Sequence, residues 1–115
     1  MPTHDLAPRI AANIMHTHAP ELALLAELRA RPRIVATGGG CHAIEFDAAP
    51  SRTLYLLLTT SDHHLATTRD AIEFWCLSIY DSTDDDTLKS CAEAATFAQA
   101  HRAVWRAYLT GEHIE

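Results

Sequence analysis

The sequence predicts an α+β fold in which helices pack on one face of an antiparallel sheet. Apolar residues recur at helical spacing near both ends of the chain, whereas the middle is rich in the β-branched, aromatic and glycine residues that are typical of short strands and turns. The chain has 115 residues, of which 48% are hydrophobic, and this size suits one domain with one core. We therefore expect residues 1–115 to form a single α+β domain.

Two helices are predicted in the first third of the chain. Apolar residues spaced four apart form one side of the first helix: Leu6, Ile10 and Ile14. The expected N-cap of this helix is Thr3 or Asp5. Pro20 fits the first turn of a second helix, which we expect to run to about Ala30 before Pro32 ends it.

Three or four strands are predicted next, in an antiparallel meander. Residues 34–37 and Cys41–Asp47 are short strand-like segments, and the glycines at 38–40 form either a bulge within one bent strand or a turn between two strands. Residues 53–60 carry leucine or tyrosine at every position from 54 to 58, so we expect a central strand that is covered on both faces. In residues 71–80 the side chains at Ile72, Phe74 and Cys76 alternate with those at Glu73 and Trp75, which predicts the last strand.

A long helix is predicted at the C-terminus. The acidic segment 81–86 supplies turn and N-cap residues, and its carboxylates suit the positive end of a helix dipole. From there to about Leu109, apolar side chains fall on one broad face of a helix, which Gly111 ends. We expect this face to pack on the sheet.

Charge and composition exclude several classes of function. The net charge of −6 opposes binding to nucleic acid or to anionic membranes, because both need a basic surface. No apolar run approaches the roughly 20 residues that cross a bilayer, and no basic segment at the N-terminus leads into an apolar one as in a secretory signal. We predict a cytoplasmic protein without a cofactor. Its partner is expected to be another protein with a basic surface.

The cysteines give no framework for disulfides or for zinc. Cys41, Cys76 and Cys91 form an odd set without a C-x-x-C spacing. We therefore expect reduced and mostly buried thiols.

Acidic residues form the first candidate contact surface. The core of this surface is the run Asp81, Asp84, Asp85 and Asp86. The run lacks the D-x-D-x-D-G pattern and the distal glutamate of a calcium loop, so a capping turn is favoured over a calcium site. Its concentrated charge is typical of a surface that contacts arginine or lysine side chains of a partner. Three further carboxylates are expected to add to it if they share the open face of the sheet: Glu45, Asp47 and Glu73.

Trp75 is the second element of this candidate surface. On the predicted strand it shares a face with Leu77 and Ile79, while Phe74 and Cys76 lie on the other face. Because both faces carry large apolar groups, either the N-terminal helices cover the second face or it forms a contact patch for a partner or a homodimer.

Histidines suggest an alternative, enzymatic interpretation. The chain has 8 histidines, and imidazole and carboxylate ligands suit zinc. The candidate ligands are His16, His18, Asp62, His63 and His64. Their spacing does not match established two-histidine motifs, so solvated loop histidines are the competing interpretation. Cys41 beside His42 is a candidate nucleophile, but adjacent residues of a strand point to opposite faces.

The segment from Thr37 to Ala43, T-G-G-G-C-H-A, is followed by a leucine-rich and then an aromatic strand. In this it resembles small uncharacterised phage and high-GC bacterial proteins with a TGGGCxA segment. The resemblance implies a biological context and no particular site. We predict a small acidic protein-binding module rather than an enzyme, of the type of a phage inhibitor or immunity protein that occludes a host protein. The alternatives are a small metal- or thiol-dependent hydrolase, with sites at His63/His64 and Cys41/His42, and a structural homodimer.

Overall fold

A computed structural model of the protein describes residues 7–48, 51, 53–61 and 64–111. Two short helices precede five strands, and one helix follows them. The elements are α1 (Ala7–Thr17), α2 (Ala19–Glu27), β1 (Arg33–Gly38), β2 (Cys41–Asp47), β3 (Leu54–Thr59), β4 (Trp75–Asp81), β5 (Thr87–Ala94) and α3 (Phe97–Thr110). The five strands form one sheet in sequence order, and every neighbouring pair is antiparallel. The α+β class and the meander are confirmed, with five strands instead of three or four.

Strand β5 occupies residues that the sequence analysis assigned to the C-terminal helix. Its core-facing positions carry only small side chains: Ser90, Ala92 and Ala94. Alanine favours helices and gives little strand signal, which is why this strand was missed. Small side chains suit the sheet here because α3 packs directly on β5, and the Ser90 hydroxyl donates a hydrogen bond to the Val104 carbonyl at 3.0 Å. The N-cap of α3 is Thr96, which accepts a bond from the Gln99 amide.

The acidic segment 81–86 is therefore the end of β4 and the hairpin turn to β5, and not the start of a helix. Asp85 and Asp86 have φ angles of 56° and 53°. Aspartate tolerates this left-handed conformation better than most residues, because its short side chain makes local hydrogen bonds. The carboxylates thus stand at one end of the sheet.

The three glycines combine the two arrangements that the sequence left open. Gly39 and Gly40, with φ angles of 61° and 82°, form the two-residue turn between β1 and β2. Positive φ at both positions gives a turn whose twist matches the sheet. The register shifts between Ala36 and Gly38, so an irregularity at the end of β1 precedes the turn.

The core lies between one face of the sheet and the helices. Alternate residues of the middle strands are buried there, including Phe46, Leu56, Leu58, Leu77 and Ile79. Ile14 of α1, Leu25 of α2 and Val104 of α3 close this layer. The expectation that both faces of β3 are covered is wrong, because Leu57, between two fully buried leucines, is only partly buried.

The junction of the first two helices is fixed to the segment before β4. The Thr17 hydroxyl donates to the Thr67 carbonyl at 2.7 Å, and the Arg69 guanidinium pairs with the Glu21 carboxylate at 2.7 Å. Glu21 is 8% exposed, so this pair compensates a carboxylate that is largely removed from water. Pro20 lies in the first turn of α2, as predicted.

Candidate functional site

The face of the sheet opposite the helices is a broad groove, here called the open face. Because successive side chains of a strand point to opposite sides, one set builds the core and the other lines this groove. The groove has a volume of about 520 Å³. Its lining comes from all five strands and the segment after β3: Thr37, Gly38, Cys41, Ala43, Leu57, Thr59, Ser61, Cys76, Ser78, Tyr80, Leu88, Cys91 and Glu93.

All three cysteines line the open face. Each is a free thiol of intermediate exposure, so the expectation of mostly buried thiols is replaced by accessible ones. Ser78 lies directly opposite Cys91 in the β4–β5 register, and Glu93 lies opposite Cys76. The two cysteines are thus diagonal neighbours on adjacent strands, and their Sγ atoms are 3.8 Å apart.

The two thiols differ in acidity because they share one hydrogen bond. The two thiols share a hydrogen bond in which either sulfur can be the donor. This bond, together with the Ser78 hydroxyl, lowers the pKa of Cys91 despite its burial. The same hydrogen bond, followed by burial, raises the pKa of Cys76. These surroundings favour a thiolate at Cys91 over one at Cys76.

Two tyrosines connect the open face to the acidic hairpin. Tyr55 and Tyr80, directly opposite each other on β3 and β4, stack with ring centroids 5.5 Å apart. The Tyr55 hydroxyl donates to Asp86 Oδ1 at 2.8 Å. Burial and this carboxylate raise the pKa of Tyr55 to about 12. The hydrogen bond therefore holds the hairpin against the edge of the groove.

The carboxylates of the predicted acidic surface do not all remain available to a partner. Glu45 and Asp47 are both paired with Arg33, with nitrogen to oxygen distances of 2.5 and 3.1 Å, and Asp47 also binds Arg31 at 2.6 Å. The two arginines lower the pKa of Asp47. In the hairpin, Asp84 pairs with Lys89 at 2.5 Å.

The hairpin keeps exposed negative charge beyond these pairs. Asp85 and Asp86 are exposed at its tip. Asp81, at the end of β4, accepts two hydrogen bonds from Thr83, which lower its pKa. Glu73 is exposed but lies in the segment before β4, not on a strand. Apart from the arginine-paired Glu45 and Asp47, the acidic part of the open face is therefore the hairpin together with Glu93.

Trp75, a predicted contact residue, is buried in the core and does not line the open face. Strand β4 begins at Trp75 rather than at residue 71, and Trp75 faces the core with Leu77 and Ile79. Its side chain is 6% exposed and meets the rings of Phe97 and His18 edge to face, at centroid distances of 6.0 and 6.2 Å. The apolar side chains that remain uncovered, such as Leu57 and Leu88, lie on the other side of the sheet.

Among the residues that the structure describes, the predicted metal ligands are not brought together. Asp62 and His63 lie outside the described residues, and within the described ranges no group of three or more histidine, cysteine, aspartate or glutamate side chains is arranged to hold a metal ion. His16 is exposed, whereas His18 is fully buried and its Nε2 lies 3.0 Å from the Ala66 carbonyl. Burial lowers the pKa of His18.

Cys41 and His42 point in opposite directions, as strand alternation predicts. Cys41 lines the open face, whereas the His42 ring lies 6.2 Å from the ring of His64 on the other side. The Nδ1 atom of His64 accepts a hydrogen bond from the His42 backbone amide at 3.1 Å. His42 is therefore not placed to activate the Cys41 thiol.

The fold and the site define an α+β protein with a five-stranded antiparallel sheet that is covered by helices on one face and open on the other. Comparisons with protein-family models, with curated proteins and with solved structures find no match to the chain. In the described part of the chain, none of the helices has both the length and the apolar character that a membrane span requires.

Sequence reasoning missed the cysteine pair. It placed Cys91 on a helix, where no alternation argument brings it next to Cys76. The signal that points to the pair is the acidic turn, because a hairpin through residues 82–86 pairs the two strands that carry the thiols.

Proposed function

We propose that this protein is a protein-binding module that occludes a basic surface of its partner with the open face of its sheet. The observation that carries the proposal is the uncovered apolar centre of that face. Leu57 and Tyr80 are partly exposed there and Leu88 is 42% exposed. Apolar side chains on an uncovered face, with polar residues around them, are typical of protein contact surfaces.

The charge of the surrounding residues supports a partner rich in arginine and lysine. The hairpin tip adds Asp85 and Asp86 at one end of the groove, and Glu93 lines the groove itself. The whole chain carries a net charge of −6. Complementary charge accelerates the encounter with a basic surface and disfavours acidic partners.

The mode of action that fits such a surface is steric inhibition in the cytoplasm. The resemblance of the segment from Thr37 to Ala43 to phage and high-GC bacterial proteins supports a host protein as the target. Occlusion needs only contact residues, and the groove supplies them.

The test is an affinity pull-down from a bacterial lysate, with bound proteins identified by mass spectrometry and then purified for binding measurements. Leu57→Glu places a charge in the apolar centre and is expected to abolish binding. Asp85→Asn combined with Asp86→Asn removes two charges and keeps a residue that tolerates positive φ. At about 0.5 kcal/mol for each exposed charge, this variant is expected to raise Kd about fivefold.

The matched control removes two negative charges elsewhere. Glu27 on α2 and Asp70 before β4 are exposed and lie outside the groove lining, so Glu27→Gln with Asp70→Asn is expected to leave Kd within about twofold of the original, apart from long-range charge effects. The proposal is supported if the pull-down captures a basic protein that no longer binds the Leu57→Glu variant but still binds this control. A partner that binds the Leu57→Glu variant as tightly as the original protein rules out the open face as the binding surface.

A further inference from the structure

The open face carries a second feature that occlusion does not use, the pair of thiols on β4 and β5. Cys76 and Cys91 are in van der Waals contact, with Sγ atoms 3.8 Å apart, and both are reachable from the groove. A disulfide bond is about 2.05 Å long, so a further approach of ~1.8 Å joins the two sulfurs.

From this geometry we infer that Cys76 and Cys91 form a reactive dithiol that exchanges with low-molecular-weight disulfides, with Cys91 as the attacking and Cys76 as the resolving thiol. The groove admits a small molecule to the pair, since its volume is about 520 Å³. The inference goes beyond partner binding and does not depend on it.

The division of roles follows from the surroundings of each sulfur. Cys91 shares a hydrogen bond with Cys76 and lies opposite the Ser78 hydroxyl, and both groups are able to stabilise a thiolate there. Cys76 lies opposite the Glu93 carboxylate, which disfavours a second negative charge. Only the thiolate is the nucleophile in exchange.

The reaction balances in two steps. The Cys91 thiolate attacks one sulfur of a disulfide RSSR, so that a Cys91–SR bond forms and RS⁻ leaves. Cys76 then gives its proton to the released thiolate, and its sulfur attacks Cys91 Sγ and displaces the second RS⁻. The protein loses two electrons and one proton, and RSSR becomes one RSH and one RS⁻.

The lowered pKa of Cys91 raises the rate of thiol–disulfide exchange by less than the increase in its thiolate fraction. A thiol of lowered pKa is more ionised at neutral pH, but its thiolate is a weaker nucleophile than that of an ordinary cysteine. The two effects oppose each other, so the lowered pKa gives Cys91 only a modest rate advantage.

The test treats the reduced full-length protein with oxidised glutathione, blocks remaining thiols by alkylation and maps the peptides by mass spectrometry. The expected product of the unaltered protein links residues 76 and 91, has lost two hydrogen atoms and still carries an alkylated Cys41. Dithiothreitol is expected to reverse it. This measurement needs no variant, so it stands even if a substitution impairs folding.

Three variants then separate the roles. Cys76→Ser is expected to accumulate a glutathione adduct on Cys91, because the resolving thiol is gone. Cys91→Ser is expected to react more slowly than Cys76→Ser, because its remaining thiol lies opposite the Glu93 carboxylate. Cys41→Ser is the matched control and is expected to form the same disulfide as the original protein. The inference is overturned if the unaltered protein stops at mixed disulfides or links Cys41, or if Cys91→Ser reacts as fast as Cys76→Ser.

Discussion

Two adjacent leucines of β3 are expected to behave as opposites when each is replaced by alanine. Leu58 is fully buried in the core, opposite Leu77 and Ile44. Its truncation removes a buried side chain and leaves a cavity, which costs about 2–5 kcal/mol. Leu57 is only partly buried and borders the open groove, so its truncation leaves no closed cavity and costs about 1 kcal/mol or less. A domain of this kind has a total stability of about 5–15 kcal/mol, so the first loss is large and the second small.

Urea unfolding, followed by the fluorescence of Trp75 and Trp105, measures both losses. Leu58→Ala is expected to lower the midpoint strongly at an unchanged slope, and Leu57→Ala to lower it slightly. In partner binding we expect the order to reverse, because of the two leucines only Leu57 borders the open face. Equal losses of stability, or a larger loss for Leu57→Ala, would refute the assignment of the two faces.

Three further changes test the fold and its charges. Gly39→Ala is expected to lower the free energy of unfolding by about 1 kcal/mol because φ is positive at this position, and Gly39→Asn is expected to lower it clearly less. Equal losses for the two variants would contradict the turn geometry. Arg69→Met is expected to lower the free energy of unfolding by about 1–2 kcal/mol, because it leaves the buried Glu21 carboxylate unpaired. Adding Glu21→Gln should recover part of this stability, and no recovery would contradict the unpaired carboxylate as the cause. Burial lowers the pKa of both His18 and His101, so below about pH 6.5 the unfolded chain binds protons that the folded protein does not. As far as these groups contribute, the free energy of unfolding is therefore expected to fall as pH drops below about 6.5 and to stay level above it. His101→Phe should flatten that decline in urea unfolding at several pH values, and an unchanged slope would exclude His101 as a source.

Strong local signals account for what the sequence predicted well. Cys41–Asp47 was predicted with its observed bounds, because alternating apolar and acidic residues follow a glycine turn. The burial of Ile14 and the start of α2 near Pro20 also follow from spacing and from the fixed φ of proline. These features depend on neighbours in sequence, so a single chain is enough to reveal them.

Features that depend on packing between distant segments were missed. The small residues of β5 form a strand because α3 packs on them. The sequence of residues 87–94 alone does not indicate that a helix covers them. Trp75 shares its face with Leu77 and Ile79 as predicted, but the strand begins at Trp75, and the helices decide which face is covered. The sequence also could not reveal the pair of Cys76 and Cys91, because the two thiols meet only when β5 pairs with β4.

Alkylation of the three cysteines in the presence of the captured partner tests the open-face account most directly. Cys41, Cys76 and Cys91 all line the groove, so they report on that face without any substitution. With saturating partner, the alkylation rate of all three thiols is expected to fall several-fold relative to the free protein. Unchanged rates at saturation would show that the partner binds elsewhere and would contradict the central claim.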